Sequence, residues 1–204
     1  MIEATLQTTM LSEWIVAGGQ EGFSGADNAP LRDADGLPYL PARSLRGLLL
    51  HACKQVESNL GLEICGGLFG GEGRKGQLRL GEALLPADLR REVLEADGEE
   101  RTSLKEDFYT DVSRTRIDPD SGTAAAHSLR TMQVGIPGLV FLARVEVPDT
   151  TGLRLIGYGA GLVRHVGAKR YRGLGRCRMQ LYRAGELVQP TLADIRNIAT
   201  GDQS

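Results

Sequence analysis

One amphipathic stretch constrains this chain more than any other. Leu45, Leu48, Leu49, Ala52, Cys53 and Val56 recur at i, i+3, i+4, i+7, i+8 and i+11, one face of a helical period. The spacing predicts a helix from Ser44 to about Asn59. Ser44 stands just before the first periodic position and is the expected N-cap. Pro38 and Pro41 hold the residues before them extended. Free N–H groups and the positive dipole end at this helix start lie beside Arg43 and Arg46, an arrangement suited to a phosphate.

A helix with one apolar face needs a surface to cover, and the strand signals supply it. Ile2 to Met10 alternates and is rich in Thr, with a continuation through Trp14 to Val16. Gly76 to Leu85 reads as a second strand, with Leu78 and Leu80 on one face. Leu139 to Val147 (LVFLARVEV) is the clearest strand, continuous enough for a buried position. Leu153 to Val166 fits a second helix despite Gly157, Gly159 and Gly161, and Arg176 to Tyr182 alternates as a last strand. Cys65-Gly-Gly-Leu-Phe-Gly-Gly is a glycine-punctuated plug on the core. The order β, α, β, insertion, β, α, β is a split βαβ: an α+β, ferredoxin-like (RRM-like) βαββαβ core with a long central insertion.

The insertion runs over about residues 87–134 of a single domain. The core then occupies about 1–86 and 135–183, and a tail occupies 184–204. Pro86 to Asp107 is dense in charge, with a weak helical pattern at Leu89, Val93 and Leu94, and reads as a solvated excursion. Thr110 to Ile117 and Thr123 to Val134 read as two extended arms around the turn Asp118-Pro119-Asp120-Ser121-Gly122, a hairpin expected to project from the body. Leu192 to Ile198 fits a short helix in the tail.

Composition narrows the function classes. No apolar run approaches the roughly 20 residues of a membrane helix, and MIEATLQTTM carries no signal core. Cys53, Cys65 and Cys177 lack CxxC spacing and read as reduced thiols, so a cytoplasmic protein without a disulfide frame or zinc site is expected. The net charge of −2 is unevenly spread: Thr150 to Arg183 holds eight Lys or Arg and no Asp or Glu. Such a basic third points to a local anionic partner. Within it, Lys169, Arg170 and Arg172 lie among glycines in GAKRYRGLGRCRM, immediately before a strand. Glycine-freed N–H groups flanked by Arg forks suit a phosphodiester backbone. A Walker-type phosphate loop is absent, as are an RNP-like motif and a G-x-S-x-G elbow.

Four segments, ADNAPLRDADGLPYLPARSLRG, GLFGGEGRKGQLRLGEAL, TRIDPDSGTAAAHSLRTMQV and GAKRYRGLGRCRM, together resemble the RAMP superfamily. Within it they resemble the Csm/Cmr-type backbone subunit of type III CRISPR effector complexes. The first segment is the most specific. The resemblance implies a guide-RNA-binding subunit that assembles, with copies of itself and other RAMP/Cas subunits, into a filament-like complex. It also implies a metal-dependent endoribonuclease acting within that complex, cutting target RNA paired to the guide.

Asp27 matches the family's cleaving aspartate. Arg43, Ser44 and Arg46 match one guide-contact region, and Lys169, Arg170 and Arg172 a second. The hairpin around Asp118 to Gly122 matches the thumb that wedges between bases, with Met132 or Leu129 supplying bulk. A lone carboxylate suffices when Mg²⁺, or another divalent cation, keeps its waters and borrows a phosphate oxygen, so the ion is expected to be transient at Asp27. Asp33 and Asp35 are its nearest rivals, and Asp35-Gly36 reads as a turn. Two alternatives stay open at this point. One is a structural guide-binding subunit that does not cut. The other is a metal-independent guide-processing nuclease using His51, His127 or His165 as a base.

Overall fold

The computed structural model describes residues 1–16, 30–61, 63–71, 73–114, 130–168, 173–189, 191 and 194. Alternation at the N-terminus becomes β1 (Ile2–Met10), which turns Ala4, Leu6, Thr8 and Met10 inward and leaves Glu3 and Thr5 exposed. It lies between β9 (Val140–Val147) and β10 (Cys177–Arg183), antiparallel to both. Leu6 stands opposite Leu181 on one side and Ala143 on the other, so one face of three strands is apolar in register.

The predicted second strand forms as two short pieces, β5 (Arg79–Leu80) and β6 (Ala83–Leu84), each pairing with β9. Small edge strands β2 (Tyr39–Leu40) and β11 (Glu186–Leu187) complete the order β11-β10-β1-β9-β6-β2. Taking β5 and β6 together, the core strands run fourth, first, third, second. That is the ferredoxin-like arrangement expected of the sequence. β9 is buried on one face only: Phe141, Ala143, Val145 and Val147 point inward, while Arg144 on the open face pairs with Glu3 and Glu146.

Helices α1 (Ala42–Leu60) and α5 (Thr150–Leu162) cover the apolar face. The expected stripe of α1 is the buried one: Leu45, Leu49, Ala52, Cys53 and Val56 are in the core and Leu48 packs against it. The helix starts earlier than predicted. Pro41 is its N-cap without any side-chain cap, and its carbonyl accepts from Leu45 N at 3.1 Å. Ser44 therefore lies inside the first turn, because proline's preset φ lets the helix begin directly after it.

α5 also starts early, because Asp149 Oδ1 accepts from Gly152 N at 2.7 Å and caps it. The two helices meet closely at Gly159, where a Cβ would stand 2.5 Å from Cys53 Sγ. Glycine is what permits that approach. A short α2 (Cys65–Phe69) seats Cys65, Leu68 and Phe69 in the core, as the plug reading expected. A two-stranded turn of β3 (Gly70–Gly71) and β4 (Arg74–Lys75) follows it.

The insertion departs from the solvated reading. It forms α3 (Ala87–Glu95) and α4 (Gly98–Glu106), then the hairpin arms β7 (Tyr109–Arg114) and β8 (Arg130–Gly135). Val93 is buried, and Leu89, Leu94 and Leu104 pack against the core. The weak apolar stripe is enough once two short helices pack side by side. The hairpin does not simply project either: Phe108, Tyr109 and Val134 at its base are buried. Its expected turn, Asp118 to Gly122, lies outside the described residues, as does the expected tail helix apart from Asp194.

Candidate nucleic-acid interface

The segment that follows β1 gathers every loop singled out by the sequence. Leu11 to Val16 is a further extended run whose backbone bonds alternate between two neighbours. On one side Trp14 N donates to Gly135 O at 3.1 Å and Gly135 N to Trp14 O at 2.8 Å, which ties it to the base of the β7–β8 hairpin. On the other side Gly175 N donates to Glu13 O at 2.7 Å and Ala168 N to Ile15 O at 2.9 Å, which ties it to both stems of the basic glycine loop. Ser12 Oγ reinforces this by donating to Gly173 O at 3.1 Å and accepting from Arg176 N at 3.0 Å. Leu31 N then donates to Val16 O at 2.9 Å, closing the stem of the acidic loop.

Trp14 anchors this junction. It is fully buried, meets Phe141 edge to face with centroids 5.4 Å apart, and donates Nε1–H to Ile136 O at 3.1 Å. Ile15 and Val16 are buried beside it. Three loops therefore leave one rigid point: residues 17–29 carrying Asp27, residues 169–172 carrying Lys169, Arg170 and Arg172, and the hairpin. Asp27 and these three basic residues themselves lie outside the described residues, and so does His127.

The other predicted residues separate. Arg43 is exposed in the first turn of α1. Arg46 turns inward instead: Nη1 donates to Leu78 O at 3.0 Å and Nη2 to Phe69 O at 2.6 Å, with the guanidinium 5.7 Å from the Phe69 ring centroid. Those bonds make it a strut between α1, α2 and the strand region after it. Met132 sits mid-arm in β8 opposite Val112 and is buried, so its bulk is not offered to solvent. His51 is exposed and pairs with Gln55, and His165 bridges Arg176.

Asp33 and Asp35 are occupied. Asp33 Oδ1 accepts from Asp35 N at 3.0 Å and Leu37 N at 2.9 Å, shaping the turn that Gly36 completes at φ +80°. Arg90 of α3 then pairs with Asp33 at 2.5 Å and Asp35 at 2.7 Å. Beside this turn, Arg32 forks onto Glu106 and holds its carboxyl below the usual range. Sequence reasoning read Trp14 only as part of a strand continuation and missed its anchoring role, and it missed Arg32 and Arg90. Only the Asp-Ala-Asp-Gly turn left a local signal.

A RAMP superfamily model matches residues 9–178. The chain belongs to the RAMP superfamily. A search of curated proteins finds no match. Two solved structures share the fold. One is a chain of the type III-B Cmr-β complex bound to cognate target RNA (10% identity, TM-score 0.68, covering 89% of this chain and 97% of that one). The other is a chain of the apo Cmr-β complex (12% identity, TM-score 0.65, covering 91% and 99%). Among the described residues of this RAMP protein, no group of three or more His, Cys, Asp or Glu side chains gathers as a metal cage, and no helix is long and apolar enough to cross a membrane.

Proposed function

We propose that this RAMP protein is a guide-RNA-binding backbone subunit of a type III CRISPR effector complex, and that Asp27 makes it the subunit that cuts complementary target RNA. The observation that carries the reading is the convergence on Leu11–Val16. One short extended run is hydrogen-bonded directly to the stems of an acidic loop, a basic glycine loop and a hairpin. The stems of the loops that carry Asp27, the three basic residues and the hairpin turn thus start from one run, which supports a reading in which they act on the same RNA. Family membership and the fold shared with chains of an RNA-bound Cmr complex support it.

In this reading Lys169, Arg170 and Arg172, with exposed Arg43 and the first-turn N–H groups near Ser44, hold backbone phosphates without reading bases. Arg46 supports that helix end from behind. Asp27 would hold a divalent cation together with water and a phosphate oxygen, and the bound ion would supply polarisation of the scissile phosphate. Asp33 and Asp35 serve the turn and Arg90 instead.

The test is the complex assembled with guide RNA and labelled complementary RNA, with Mg²⁺ or EDTA, for wild type and Asp27→Ala. Regularly spaced cuts that need the metal and vanish in Asp27→Ala, with assembly intact, are expected. Target binding without cuts in wild type would leave a guide-holding scaffold. Cuts that persist in EDTA would point to metal-free chemistry at a histidine.

A further inference from the structure

Arg32 lies on the C-terminal stem of the acidic loop, one residue past the Leu31 amide that closes it. The stem folds back on itself: Arg32 bridges Pro38, and Asp33 N donates to Leu37 O at 2.8 Å. The Arg32 side chain reaches across to three parts of the insertion. Nη1 donates to Glu106 Oε1 at 2.9 Å and Nη2 to Glu106 Oε2 at 3.3 Å, at the end of α4. Nη2 also donates to Gln133 Oε1 in β8 at 3.1 Å, and the guanidinium lies 4.3 Å from the ring centroid of Tyr109 in β7. Gln133 Nε2 donates to Glu106 Oε2 at 3.2 Å and closes the network.

We infer that Arg32 is a positioning residue that fixes the spacing between the acidic loop and the hairpin. This rests on the cleavage reading proposed above. Its role is geometry more than stability. Glu106 is half exposed, with 51% of its side chain accessible, and such pairs contribute little to folding. A planar fork that is bidentate on one side and stacked on the other, however, admits one orientation only. Asp27 lies five residues before Arg32, and Gln133 four residues after the last hairpin residue outside the described set. A shift at this clamp therefore moves the stem that leads to Asp27 relative to the base of the hairpin.

The experiment uses the guide-loaded complex with Arg32→Lys, Glu106→Gln and the exchanged pair Arg32→Glu/Glu106→Arg. Lysine keeps the charge and loses the fork. Single-turnover cleavage at saturating target is expected to fall roughly 10- to 100-fold in Arg32→Lys and Glu106→Gln, the range for a reacting group displaced by about 1 Å. Target affinity should stay within about twofold of wild type, and the exchanged pair, which restores the opposite charges but not the contacts of position 32 with Gln133 and Tyr109, should stay well below the wild-type rate. Hydrogen exchange of the stem (residues 30–37) and of β8 should quicken together in the single variants. If wild type cuts and Arg32→Lys cuts equally fast, the positioning role is overturned and the cleavage reading stands. If stem exchange changes without any change in rate, the clamp is structural only and the inference fails. A wild-type complex that binds target and never cuts refutes the cleavage reading itself, and the positioning role falls with it.

Discussion

Replacing Gly167 by alanine tests whether the basic loop and the acidic loop share one support. Gly167 has φ +86°, and a Cβ there would stand 2.2 Å from Ile15 O and 3.1 Å from Val16 Cγ2. Gly173, at the other end of the same loop, has φ +80° with no atom of the described residues within 4 Å of its Cβ position. Both substitutions carry the strain of a positive φ, about 1–2 kcal/mol. Only Gly167→Ala must also push the Ile15 carbonyl away by about 1 Å to restore contact distance. That breaks the 2.9 Å bond from Ala168 N and strands a carbonyl of a buried residue, a further cost of about 2–3 kcal/mol.

For a chain of this length 1 kcal/mol moves Tm by roughly 2–4 °C. Gly167→Ala should therefore melt roughly 4–12 °C below Gly173→Ala in a thermal scan of the subunit. Guide-RNA binding at fixed salt should weaken more in Gly167→Ala, because both loop stems open with the broken bond. Equal Tm values for the two variants would refute the reasoning, since the shared φ strain would then be the whole effect.

Three further outcomes follow from the core. Thr8 is completely buried on the helix-facing side of β1, opposite Met179 and Phe141, and among the described residues its Oγ1 has no hydrogen-bond partner. The near-isosteric Thr8→Val should raise stability by about 1 kcal/mol, seen as a higher denaturation midpoint at unchanged slope. Burial pushes the thiols of Cys65 and Cys177 up to about 12 and raises Cys53 as well, so none should react with a thiol reagent at pH 8 until the chain is unfolded. Because these values are raised on folding, the stability they contribute is full below the ordinary 9.0 and is lost as pH climbs towards 12. An alkaline titration of Tm should show that decline.

The junction at Leu11–Val16 gives the fold a functional logic. The sheet and its two helices need only a continuous apolar layer, which Leu6, Ala143 and Leu181 provide in register. Past Met10 the chain leaves that layer, yet Trp14 remains buried against Phe141. The stems of the loops on either side are thereby fixed to the core through backbone bonds to this run. Loop sequence can then vary while the point of departure stays fixed.

Periodicity, glycine and proline are local signals, and they account for what the sequence by itself determined. The α1 stripe, the β1 and β10 alternation, the plug at Leu68 and Phe69, and the Asp35-Gly36 turn were all readable within about a dozen residues. Charge beside glycine likewise singled out Lys169 to Arg172, and the family resemblance singled out Asp27, as candidates for the proposed chemistry. Local reading failed where a cap or an anchor was supplied from elsewhere. Ser44 gave way to Pro41, and the polar helices α3 and α4 gained a buried face only from each other and the body. Tertiary structure alone decided which cations are free and which are spent. Arg43 and Arg46 lie three residues apart on one helix, yet one is exposed and the other donates to carbonyls at Phe69 and Leu78. Arg32 meets Glu106 across 74 residues of sequence. Such pairings depend on strand register, which is set by burying one face of the sheet, and a one-residue slip would undo them all.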